Sequence, residues 1–161
     1  MKRLLAIALT GATLLLAPAS ATGASGSDVA KGHGTTFFGD SFAFSATAAF
    51  NDTGARGSVQ LDTANGATEE TFYGDVTCLR VVGNMASIVG NITNVSPPAA
   101  VYSSFRSFII QTSDGGKFGT TADTVTYGFS TSVAAPDGFC PTPTVGFPIT
   151  TGDVVITDAS S

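Results

Sequence analysis

Few residues in this chain are suited to do chemistry. His33 is the one histidine, Cys78 and Cys140 are the two cysteines, and the acids stand singly apart from Glu69-Glu70. A Ser-His-Asp hydrolase would have to use His33, which sits between Gly32 and Gly34, and no Gly-x-Ser-x-Gly elbow exists to present a serine. The expected place for His33 is an exposed loop or edge strand. Zinc needs three or four His, Cys or carboxylate ligands, which one histidine and two bonded cysteines do not supply. Glu69, Glu70 and Asp75 offer paired carboxylates for glycoside hydrolysis, but neighbouring residues on a strand point to opposite faces and no spacing picks a partner. Asp114 and Asp123 are weak calcium candidates, because they flank a glycine-rich loop whose carbonyls add oxygen ligands. Lys117 lies between them and the EF-hand spacing is missing, so a solvated loop is the favoured reading. No phosphate-binding glycine loop or nucleotide fingerprint occurs. No catalytic residue, metal site or cofactor is therefore assigned.

The cysteines point to a structural role. In an exported chain two cysteines predict one disulfide, Cys78–Cys140. Redox work would call for a C-x-x-C or a nearby base, and neither is present.

Export itself is read from the N-terminus. Residues 1–21 have the form of a secretory signal peptide: Lys2 and Arg3 are the positive region, Leu4 to Leu16 the apolar region, and Ala19-Ser20-Ala21 the small residues before cleavage. The apolar region is too short and too interrupted to span a bilayer, and no later stretch is long enough. There is no twin arginine and no cysteine at the cleavage site, so the Sec route is expected, without a lipid anchor. The expected organisation is a short flexible segment over 22–28 and one β-domain over 29–161. Sequons at Asn51, Asn91 and Asn94 bear on the protein only if its host glycosylates them.

The net charge of −5 becomes −7 once Lys2 and Arg3 leave, with five basic residues against twelve acidic ones. Without a basic stripe, nucleic acid is not an expected partner. Low charge (12%), 19 Gly, 12 Phe and no Trp describe a turn-rich all-β domain.

The stretch that must position everything else is Gly74 to Thr93. Two β-branched, apolar runs flank Gly83-Asn84, a pair suited to a tight hairpin turn. A two-residue loop sets Val82 opposite Met85, Val81 opposite Ala86, Leu79 opposite Ile88 and Cys78 opposite Val89. Leu79, Val81, Ala86, Ile88 and Ile92 then form the core face, with Val76, Cys78, Arg80 and Val82 on the other. The disulfide would bring the Pro-rich segment around Cys140 against that second, more polar face. Before the hairpin, Ser41 to Phe50 alternates with period two, its aromatic set being Phe42, Phe44 and Phe50, and Ala55 to Thr63 returns beside it. After it come strand patterns over 101–112, 123–130 and 153–157, with Phe108 and Phe129 on apolar faces. An antiparallel β-sandwich or flattened β-barrel of about eight strands follows, with sequential hairpins as its default connection.

Gly74-Asp75-Val76-Thr77-Cys78-Leu79, followed by Val82-Gly83-Asn84 and Ala86, resembles a family of uncharacterised small secreted bacterial β-rich proteins. The similarity extends to Asp114-Gly115 and to Phe147-Pro148-Ile149 with Gly152 to Ile156. It implies a single β-domain behind a signal peptide, and brings no activity, substrate or catalytic residue. Ser113-Asp114-Gly115-Gly116 departs from the Asp-Asn-Gly of the family, which weakens a ligand role for that loop. The function expected is a non-enzymatic structural or interaction role at the cell envelope or outside the cell, with an envelope or extracellular partner. The alternatives are a small apolar-ligand carrier of lipocalin-like form, its interior lined by Phe42, Phe44, Phe50, Phe108 and Phe129, and a hydrolase.

Overall fold

Alternation of large and small residues along Ser41 to Ala49 builds the inner wall of the molecule. Phe42, Phe44, Ala46 and Ala48 are buried while Ala43, Ser45 and Ala49 are exposed, and the rings of Phe42 and Phe44 stack 5.8 Å apart. The computed structural model describes residues 26–49, 54–63, 69–97, 101–116, 121–134 and 140–160. The signal-peptide region, Phe50 and Lys117 lie outside the described residues. Among the described residues eight strands run in chain order: β1 (Ser27–Thr36), β2 (Ser41–Ala49), β3 (Arg56–Thr63), β4 (Glu70–Val82), β5 (Met85–Ser96), β6 (Ser107–Ser113), β7 (Thr124–Ser130) and β8 (Phe147–Thr157). One 3-10 turn, Val101–Ser104, precedes β6. Every strand pairs antiparallel with the next, and β8 pairs back onto β1, so the sheet closes into a barrel.

The expected hairpin register holds: Val82 faces Met85, Val81 faces Ala86, Leu79 faces Ile88 and Cys78 faces Val89. Leu79, Val81, Ala86 and Ile88 are core, with Ile92 packed against them. The expectation for Val76 is corrected. Val76 pairs with Gly90 and Cys78 with Val89, so Thr77 is an extra residue that bulges. A bulge reverses the parity of the strand, and Val76 enters the core while Cys78 stays outside. The second irregularity lies beside Gly74, where Thr93 is the extra residue on β5.

Two extents differ from the sequence expectation: β1 begins at Ser27, before the domain start expected at 29, and β8 begins at Phe147, not at Asp153. Pro148 and Gly152 conceal the start of β8 in the sequence, yet both are tolerated. Ile149 to Thr157 runs along β1 while β7 covers the other edge only at Phe147 and Pro148.

Phe108 fills the middle of the barrel over two glycines. A Cβ on Gly74 would lie 2.4 Å from its ring and one on Gly90 2.5 Å. The void left between Leu61, Phe72, Ile92, Phe108, Tyr127 and Phe129 is about 10 Å³, barely the space of one water molecule. Among the described residues the interior is packed with side chains. No helix among them is long and apolar enough to cross a membrane.

Candidate functional site

Cys78 and Cys140 are joined, with Cα atoms 5.8 Å apart. The bond places the Pro-rich segment on the outer face of β5 and β6, as the hairpin parity requires. Cys140 Sγ lies 3.7 Å from Ser87 O, and the Thr144 N–H and hydroxyl donate to Gln111 Oε1 at 2.5 and 3.0 Å. Residues 140–146 thus form a strap that covers the outward side chains of these strands.

Asp114 and Asp123 occupy the loop between β6 and β7, and their carboxylates are engaged by backbone. Asp123 accepts from Gly115 N–H at 2.8 Å and Val154 N–H at 2.7 Å; Asp114 accepts from Gly116 N–H at 2.7 Å and Ile156 N–H at 3.2 Å. Val154 and Ile156 are two residues apart and so present their amides to one edge of β8. The pair expected as weak calcium ligands therefore caps the edge of β8 that β7 leaves unpaired. Nearby, Asp158 accepts from Gly83 N–H at 2.7 Å and from the Ser160 hydroxyl and amide. These bonds, the Ser160 hydroxyl foremost, hold its carboxyl below the ordinary value of 3.8.

The remaining chemistry gathers at the turn between β1 and β2, Thr36 to Asp40. Its inward side continues the inner wall with polar groups. Thr36 N–H donates to Asp40 O at 2.8 Å, Ser41 pairs with Asp62, and Thr63 pairs with Glu70. Thr36, Asp40, Thr63 and Glu70 thereby form one row across four strands, and all four are buried. The Tyr127 hydroxyl donates to Asp40 Oδ2. Behind the row, Phe72, Phe105 and Tyr127 pack around Phe129, with centroids 4.7, 5.4 and 5.8 Å from it. Two carboxylates thus share a buried row. Of the acids weighed from the sequence, Glu70 is in this row whereas Glu69 and Asp75 are exposed. Among the described residues, no group of three His, Cys, Asp or Glu is placed to hold a metal.

The outward side of the same turn is apolar. Phe37 and Phe38 are 73% and 63% exposed, and Phe147, at the start of β8, is 52% exposed. Their rings meet edge to face, 5.7 Å between Phe37 and Phe38 and 5.3 Å between Phe38 and Phe147. No residue of 35–39 or 147–152 carries a charge. His33, on the outer face of β1, is exposed. No local pattern in the sequence marks this cluster, because Phe147 is far from Phe37 in the chain and ends a Pro/Gly-rich run. The adjacent pair Phe37-Phe38, followed by Gly39-Asp40, was the available signal.

Fold and site together define an eight-stranded antiparallel barrel with a packed interior and one aromatic end. No protein-family model, curated protein or solved structure matches this chain.

Proposed function

We propose that the protein is an exported, non-enzymatic β-domain that works by binding, and that Phe37, Phe38 and Phe147 are its contact surface. The observation that carries this reading is the cluster itself. Single exposed apolar residues are ordinary, but three phenylalanines joined through Phe38, in segments that carry no charge, expose apolar area that a partner would bury. The partner is then an envelope or extracellular molecule with an apolar, uncharged patch. The signal-peptide pattern of residues 1–21 and the Cys78–Cys140 pair support export through the Sec route into an oxidising compartment. The packed interior weighs against the carrier alternative, since a small-ligand site needs a cavity of roughly 300 Å³ or more.

The test is capture from the envelope fraction and culture supernatant of the producing cell. Immobilised mature protein is compared with a Phe37→Ser, Phe38→Ser, Phe147→Ser variant shown by circular dichroism to be folded. A partner held by the native protein and reduced about tenfold or more by the variant is expected, since buried aromatic anchors dominate such contacts. Equal recovery of the same partner by both would place the contact elsewhere.

A further inference from the structure

Arg80 is the one basic residue of β4 and β5, and it stands at the end of a polar row on the outer face of the barrel. It pairs with Ser87 of β5, and Ser87 pairs with Gln111 of β6. All three alternate with the core residues Leu79, Val81, Ala86, Ile88 and Ile110, so their side chains share the outer side. Residues directly opposite on neighbouring strands are within reach of one another. The strap closes the row from above: Thr144 donates to Gln111, and Cys140 Sγ lies against Ser87 O. β3 pairs with β4 only as far as Asp75, so among the described residues no paired strand flanks Arg80 on that side.

The row is rich in donors and poor in acceptors. Ser87 is 0% exposed, and its hydroxyl has no hydrogen-bond partner. Both bonds from Thr144 end on Gln111 Oε1. They fix the amide orientation, and its Nε2 group then carries two N–H donors that no described residue accepts. Arg80 is half-buried and makes no hydrogen bond or ion pair with any described residue. A buried polar group without a partner is costly, and such a group in a native fold calls for an explanation.

We propose that Arg80, Ser87 and Gln111 form a binding site for a carboxylate group. The guanidinium offers a planar fork that meets two carboxylate oxygens at once, and the Ser87 hydroxyl and Gln111 Nε2 add neutral donors beside it. One guanidinium balances one carboxylate. A phosphate dianion would leave excess negative charge against a chain that is already acidic, at −5. Arg80 is a long, flexible side chain on the open side of the row, so it moves aside to admit the carboxylate to Ser87 and then bonds it. The site lies apart from the aromatic cluster, and the inference does not rest on the proposed function.

Heteronuclear NMR of the mature protein tests this, following the Arg80 Nε–H and Gln111 Nε2 signals at constant ionic strength. Sodium acetate is expected to shift both signals saturably in the millimolar range, sodium phosphate more weakly, and sodium chloride not at all. A blocked aspartyl peptide that binds more tightly than acetate would assign the carboxylate to a partner chain, and equal affinity would assign it to a free organic acid. Ser87→Ala is expected to weaken acetate binding about tenfold while leaving Tm unchanged or raised, because the hydroxyl it removes bonds nothing in the fold. A merely structural serine would lower Tm and leave the acetate affinity alone. Arg80→Gln is expected to abolish saturation. Shifts that do not saturate in the native protein overturn the inference, as does acetate binding retained by Arg80→Gln or phosphate binding tighter than acetate. If Arg80→Gln does not fold, Ser87→Ala decides, and an unchanged acetate affinity in it overturns the site.

Discussion

Gly90 is a position where an absent side chain determines what its neighbours do. It pairs with Val76 at the edge of the Thr77 bulge and with Phe108 across the ladder to β6. A methyl group there would lie 2.1 Å from Asp75 O and 2.5 Å from the Phe108 ring. The ring is the flexible party and the carbonyl is not, since Asp75 O is held in the β4 backbone. Gly90→Ala must therefore shift the strand or expel the ring, and overpacking of this kind costs roughly 1–3 kcal/mol. Urea unfolding of the variant checks this, and an unchanged midpoint would show that Phe108 does not rest on the glycine. The same scale explains why Asp114 and Asp123 looked like ligands. A carboxylate flanked by glycine amides has the composition of a cation loop, and which donor claims its oxygens is set by a strand some 30 residues later in the chain.

At the scale of elements, what the sequence revealed followed from local geometry. The register of β4 on β5 was legible because Gly83-Asn84 fixes a two-residue turn, and the wall of β2 because its alternation is unbroken. Strict alternation puts Val76 on the wrong face because a bulge at Thr77 has no residue-type signature. The aromatic cluster joins a turn to a strand more than a hundred residues away, through the closure of β8 on β1, and no local pattern encodes that contact. The strap belongs with the legible elements, since hairpin parity and one disulfide placed it. Removing that disulfide with Cys78→Ala and Cys140→Ala frees the ends of a separation of 62 residues. The loop-entropy model gives an upper loss of about 4 kcal/mol, or about 10 °C in Tm for a domain of this size. Faster proteolysis within residues 131–146 is expected alongside, because residues 140–146 then rest on hydrogen bonds such as those of Thr144 to Gln111 and of Gly146 to Thr124. A variant with native Tm and native resistance would show that the strap is fixed without its bond.

Across the whole molecule, the barrel resolves two demands that usually compete. An eight-stranded barrel is just wide enough for its own side chains or for one small ligand, and here the aromatics take the space. Phe108 lies over Gly74 and Gly90, Phe72 stacks on Phe129, and about 10 Å³ remains between them. The phenylalanines that first suggest a ligand-lined interior are thus accounted for by packing wherever they are described. On the proposed reading, binding falls to the exterior, where Phe37, Phe38 and Phe147 are exposed. A direct measurement separates the two uses of the barrel. The native protein is expected to show no saturable uptake of a fatty acid or an apolar naphthalene fluorophore. Phe108→Ala, by contrast, removes the ring over the two glycines at a cost of about 3–5 kcal/mol, and leaves a dry cavity that a small aromatic such as benzene can enter. Saturable binding of the fatty acid by the native protein, at one molecule per chain, would mean that the core opens around a ligand and would restore the carrier reading.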